Sequence, residues 1–235
     1  MKNIFFFLIV SLAFVSCKKE EQEKPKVIYE TQPKSQAKPQ IDTTKVIVAD
    51  LPIHMEGTNM LIFPVGDLNF FKKQGYAKND KNISYTISNY GEYEITGYLD
   101  NLKFQEIGKD TIYALTDKSI LIQSATYLKN HADKTKQQLL VYSLHDLDTN
   151  KDNKLDVNDI KSLYVSTLDG KNFTKLTEDF QELIDWKYLP LKNGIYFRAV
   201  EDTNKNGEFD SNDKIVYSFV DLTSKEFKAA EFKVN

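Results

Sequence analysis

Apolar and polar residues alternate in short runs along most of this chain, and turn residues punctuate the runs. Such runs begin at Met60 (MLIFPV), Ile83 (ISYTISNY), Tyr93 (YEITGYL), Thr111 (TIYAL), Ser119 (SILIQSATYL) and Gln138 (QLLVYSL). Others begin at Ser162 (SLYVSTL), Leu183 (LIDWKYL), Gly194 (GIYFRAV) and Lys214 (KIVYSFV). Period-two alternation with β-branched and aromatic residues predicts strands. No long segment carries a 3.6-residue period. Two short pieces, DLNFFKKQGY near Asp67 and TEDFQELI near Thr177, predict single helical turns. Many short strands with regular turns define an all-β class of antiparallel strands.

Composition agrees with that reading. The 13 Tyr and 15 Phe suit a pleated, half-buried surface. With 31 basic and 34 acidic residues the chain lacks the strongly basic character of a nucleic-acid-binding domain. Its 235 residues correspond to one or two domains.

The second half repeats itself. Asp148 aligns with Asp202, an offset of 54 residues, and the same offset relates Tyr142 to Tyr196 and Phe173 to Phe227. Tyr164 pairs with Tyr217, one residue off. Strand, acidic loop, strand, turn, strand is thus used twice, as in repeat architectures. The stretch LYVSTLDGKNFTKLT, Leu163 to Thr177, resembles the strand-turn-strand of TolB-like β-propeller blades. That resemblance implies a propeller-like domain, and residues 46–235 provide enough chain for about four blades, with ring closure left open.

The repeated loops carry the candidate chemistry. DTNKDNKLDVND spans Asp148–Asp159, and DTNKNGEFDSND spans Asp202–Asp213. A hard cation such as Ca²⁺ takes about six to eight oxygen ligands, and alternate side chains of a tightly curved loop can converge on one. In loop one the candidate ligands are Asp148, Asn150, Asp152, the Lys154 carbonyl, Asp156 and Asp159. In loop two they are Asp202, Asn204, Asn206, the Glu208 carbonyl, Asp210 and Asp213. Gly207 permits the sharp turn, and Asn153 replaces it in loop one, since Asn enters left-handed conformations readily. Leu155 and Phe209, the eighth residues, are expected to tie each loop to the core. A frame starting at Asp146 would put Lys154 at a ligand place, so it is rejected. The loops resemble EF-hand loops in ligand spacing, but strands flank them and the twelfth residue is Asp rather than Glu. They are more similar to the calcium loops of integrin-type propellers. That resemblance implies that the first nine residues hold the ion, while Asp159 and Asp213 stand behind them or take no part. The rival reading is a solvated turn, because Asp and Asn favour turns anyway.

The first residues change the picture of where the protein resides. MKNIFFFLIVSLAFVSC has a basic residue, an apolar run from Ile4 to Val15 and a small residue before Cys17, the single cysteine. This is the layout of a secretory signal, and it resembles a bacterial lipoprotein signal. The resemblance implies cleavage after residue 16 and a lipid on Cys17, with Phe14 departing from the usual leucine. KKEEQE after Cys17 resembles a Bacteroidetes lipoprotein export tag, which implies the outer membrane and exposure at the cell surface. Residues 17–45 are rich in Lys, Glu, Gln and Pro and read as a disordered tether. Residues 46–235 form the folded domain.

His54, His131 and His145 have no partners at zinc or triad spacing, and Trp186 and the tyrosines read as strand core before they read as a sugar-binding face. The expectation is therefore a non-catalytic, lipid-anchored calcium-binding module with two Ca²⁺ sites and a protein or glycan partner. The alternative is a hydrolase in which the calcium sites only support the scaffold.

Overall fold

A computed structural model of the chain describes residues 24–29, 45–68 and 86–234. The expected helical turn near Asp67 falls largely outside them, as do the signal-like segment, Cys17 and most of the tether. The strands, in chain order, are β1 (Ile47–Ala49), β2 (Ile53–His54), β3 (Met60–Asp67), β4 (Ser88–Gly91), β5 (Glu94–Glu106), β6 (Ile112–Ala114) and β7 (Leu121–Tyr127). A short helix, α1 (Lys129–Thr135), precedes β8 (Leu139–His145), β9 (Ser162–Thr167), β10 (Thr174–Lys175) and β11 (Gln181–Leu189). A 3₁₀ turn, Pro190–Lys192, leads to β12 (Gly194–Glu201), β13 (Lys214–Asp221) and β14 (Ala229–Phe232). All pairing is antiparallel, as the alternation requires.

The strands form two sheets. The first runs β1-β3-β5-β7-β8-β9-β10, with β2, β4 and β6 on its flanks; the second is the meander β11-β12-β13-β14. β5 is the hub of the first sheet, pairing with β3, β4, β6 and β7. Its register on β7 breaks between Thr96 and Leu99. Gly97 sits in that break because a Cβ there would lie 2.8 Å from the Ile87 carbonyl oxygen. Such a bulge increases the local bend of the sheet.

Two cores share one strand. Every residue of β8 is buried. Leu140, Tyr142 and Leu144 face the first core with Ile62, Ile95, Leu102, Phe104 and Ile122. Leu139 and Val141 face the other way, and with Leu163 and Val165 they meet Leu183, Ile195, Phe197 and Val220 of the second sheet. Each fully buried side chain of this size contributes about 1.5–3 kcal/mol, so this apolar contact is the main force joining the sheets.

The repeat is structural. β7-β8-β9-β10 and β11-β12-β13-β14 are two four-stranded meanders, and in each the second and third strands are joined by an acidic loop. At the other end α1 and the 3₁₀ turn occupy equivalent connections and touch: Lys134 Nζ donates to the Pro190 carbonyl at 2.9 Å, and His131 Nδ1 lies 3.1 Å from the Tyr188 hydroxyl.

Three expectations need correction. Thr177–Phe180 is not helical; Phe180 takes a positive φ of 62° and Gln181 begins β11. Phe173 packs edge-on to Tyr142 with ring centroids 5.3 Å apart, but Phe232, not Phe227, does this to Tyr196 at 5.5 Å. Phe227 is buried in the second core instead. Leu155 and Phe209 are only half-buried and belong to neither core. On ring closure, which the sequence left open, the first meander continues into β5 and β3, and no closed barrel or propeller forms among the described residues.

Candidate metal centre in the paired acidic loops

Loop one joins β8 to β9, and loop two joins β12 to β13. Most of their hydrogen bonds agree place by place; the exception is Asp202 Oδ1, which accepts the Asn206 N–H at 3.2 Å where the matching Asp148 Oδ1 has no partner. At the first place, Asp148 Oδ2 accepts the N–H of Asn153 at 2.9 Å and Asp202 Oδ2 that of Gly207 at 2.7 Å. At the third, Asn150 Oδ1 accepts from Asp152 and Asn204 Oδ1 from Asn206, both at 2.9 Å. At the fifth, Asp152 accepts from Lys154 and Asn206 from Glu208, both at 2.8 Å. At the ninth, Asp156 accepts from Asn158 at 2.9 Å and Asp210 from Asn212 at 2.7 Å. The bonds at the third, fifth and ninth places are Asx turns, in which a short side-chain oxygen caps the N–H two residues on; those at the first place reach five residues on. The fourth and sixth residues have positive φ in both loops: Lys151 and Asn153, Lys205 and Gly207.

The twelfth residues serve as clasps. Asp159 Oδ1 accepts the Thr149 N–H at 2.7 Å and Oδ2 that of Asp156 at 2.9 Å. Asp213 repeats this with Thr203 at 3.1 Å and Asp210 at 2.8 Å. Each carboxylate thus draws the second and ninth residues together and closes the loop. Both oxygens face backbone donors, which supports the view that these two residues stand behind any ion rather than on it. Burial lifts the Asp159 carboxyl above its usual range against the pull of the Asp156, Thr149 and Asn150 N–H groups.

Asp146, which opens the rejected frame, has other work. It accepts from Ser162 Oγ, Tyr164 OH and Lys175 Nζ, each at 2.8 Å. Burial opposes its ionisation, but Lys175 and the two hydroxyls outweigh it and hold the carboxyl below the usual range.

Loop one has supports that sequence reasoning missed. His145 Nδ1 lies 3.0 Å from the Asp159 carbonyl and 3.2 Å from that of Ile160. Two acceptors require a proton on Nδ1. Burial pushes this imidazole below its ordinary pKa, against the two carbonyls that favour its charged form. Thr149 Oγ1 receives the Ile160 N–H at 3.1 Å, and Glu182 accepts the Lys161 N–H at 2.5 Å. The threonine was legible, since DTN opens both loops; the other two come from outside the loop and were not.

Lys26–Tyr29, within the segment read as tether, lie on these loops. Lys26 N donates to the Asn158 carbonyl at 3.3 Å, Val27 N to Gly207 at 3.0 Å and Ile28 N to Thr149 at 2.8 Å. Val27 is buried. Three successive apolar residues, Val27-Ile28-Tyr29, explain why this part of a polar segment docks.

Among the described residues no group of three or more His, Cys, Asp or Glu side chains is arranged to hold a metal ion. Each of Asp148, Asp152, Asp156, Asp202 and Asp210 has an oxygen turned to a loop N–H. A carboxylate offers about four lone-pair sites, so these bonds leave acceptor capacity for a cation. One oxygen is conspicuous: Asp148 Oδ1 is buried and has no hydrogen-bond partner. Leaving such a group unsatisfied costs about 1–3 kcal/mol or more, and a bound cation would relieve it. The donor set of carboxylate, amide and carbonyl oxygens suits a hard ion. No described helix is long and apolar enough to cross a membrane.

No protein-family model, curated protein or solved structure matches the chain.

Proposed function

We propose that this chain is a lipid-anchored protein of the bacterial outer membrane, attached through Cys17, whose all-β domain binds two calcium ions and serves as a binding module for a protein or glycan. In each loop the first, third, fifth and ninth side chains and the seventh carbonyl supply the oxygens, and Asp159 and Asp213 brace the loops from behind. The observation that carries the reading is the shared bonding at the first, third, fifth, ninth and twelfth places of the two loops, together with the orphaned Asp148 Oδ1 of loop one. The two meanders are read as blade-like units, supported by their matching strand order and loop position. The ions would stiffen the loop-bearing end, where the partner binds.

Thermal melting with millimolar calcium and with chelator tests the central claim. At a hundredfold excess over Kd each site contributes about 2.7 kcal/mol to stability, which corresponds to a rise in Tm of roughly 5–10 °C per site for a chain of this size. Loop one has three carboxylates at its first, fifth and ninth places and loop two has two, so calorimetry is expected to show tighter binding at loop one. Asp152→Ala should remove the tighter site and Asn206→Ala the weaker. A Tm indifferent to calcium overturns the proposal. Loss of lipid labelling in Cys17→Ser, with labelling of the parent chain, tests the anchor separately.

A further inference from the structure

We infer that Lys24–Tyr29 is a strap that makes the two acidic loops one mechanical unit. Consecutive N–H groups of Lys26, Val27 and Ile28 donate to Asn158, Gly207 and Thr149, so three residues of the strap engage loop one, loop two and loop one again. Val27 is 3% exposed, and a Cβ on Gly207 would lie 2.2 Å from the Val27 carbonyl oxygen. The glycine of loop two is therefore needed for close approach of the strap as well as for its φ of +83°. Lys26 Nζ approaches Glu208 at 3.7 Å. The Tyr29 hydroxyl lies beside the Asp202 carboxylate, and its ring lies 5.8 Å from that of Phe180, just before β11.

These contacts engage residues that set the loop geometry. Thr149 is the residue that Asp159 clasps. Gly207 is the residue whose N–H Asp202 holds. Seating the strap fixes both, and fixing either loop offers the strap a finished surface. Coupling of this kind is reciprocal. Where the loops bind calcium as proposed above, the ion protects the strap and the strap raises the affinity of both loops. Lys24–Tyr29 is then a reporter of loop order.

The test uses the full chain in chelator, so it does not depend on calcium. Hydrogen exchange is followed at the amides of Lys26–Ile28 and at Asn153, Asp156, Gly207 and Asp210. Val27→Asp is expected to release the strap amides and to speed exchange in both loops by about tenfold or more, with β8 and β12 unchanged. Tyr29→Phe removes one hydroxyl and is expected to speed loop two by roughly threefold, which keeps the proposal testable if Val27→Asp unfolds the domain. Parent strap amides exchanging at free-peptide rates overturn the proposal. Faster exchange confined to the strap or to one loop in Val27→Asp does so too, as do unchanged loop-two rates in Tyr29→Phe should Val27→Asp unfold. Repeating the exchange with calcium separates the two readings: a chain that binds no calcium overturns the calcium assignment and leaves the metal-free result to decide the strap.

Discussion

Loops one and two have the same hydrogen-bonding pattern and opposite surroundings. Loop one is held from beneath: Asp159 and Thr149 are 0% and 1% exposed, and His145 and Glu182 tie its exit to the sheets. Loop two is open at Asn204, Asn206, Glu208 and Asp210, and its buried points are Asp202 and Gly207, both beside the strap. Asp or Asn at the first, third, fifth, ninth and twelfth places is therefore sufficient to draw the turn, while the surroundings decide how firmly each one is held. Both loops share the strap, which makes two backbone contacts with loop one and one with loop two, and loop one has in addition the supports beneath it that loop two lacks.

The largest expected contrast is at the clasps. Asp159→Ala strands the N–H groups of Thr149, Asn150 and Asp156 in a buried setting and should cost about 3 kcal/mol, whereas Asp213→Ala, nearer to solvent, should cost about 1 kcal/mol. Urea denaturation of the two variants measures this, and equal losses would break the contrast.

A smaller effect concerns the Glu182 support, which loop two lacks. Burial pushes the Glu182 carboxyl up to about 7, against the Lys161 N–H and charge that favour its ionised form. Because the folded pKa lies above the unfolded one, its contribution is fully present below the ordinary glutamate range near 4.5 and is lost as pH rises through about 7. Glu182→Gln should remove that decline and add about 1–2 kcal/mol at pH 8. Parallel stability profiles for parent and variant from pH 4.5 to 8 would show that Glu182 does not carry it.

The smallest effect is at the sixth residues. Asn153 has a φ of 66° with its side chain in place, where loop two uses glycine. Asn153→Gly relieves the left-handed strain and adds chain entropy to the unfolded state, so the net change should stay within about 0.5 kcal/mol. A gain above 1 kcal/mol by the same denaturation would show that loop one is strained where loop two is not.

Much of this was legible in the chain, for particular reasons. Alternation in YEITGYL, SLYVSTL and KIVYSFV marked strands because each run has one face in a core, and the 54-residue offset located both loops. The partition into a large sheet and a meander was not legible, since β5 pairs with four strands through contacts set by the whole fold. The helix Lys129–Thr135 has only His131 and Ala132 buried and no side-chain cap, so it left no periodic signal. TEDFQELI imitated a helix because Phe180, Leu183 and Ile184 fall at helical spacing, yet a positive φ at Phe180 breaks the chain there. The strap's signal was three apolar residues in a polar run, too short to outweigh composition.

The strand β8 has no side facing water, and half of its packing comes from residues beyond position 180. A chain emerging N-terminus first must carry Leu139 and Val141 bare until β11, β12 and β13 arrive. Completion of the domain therefore waits on its last quarter, and any shortened form ending before β12 would be sticky rather than merely smaller.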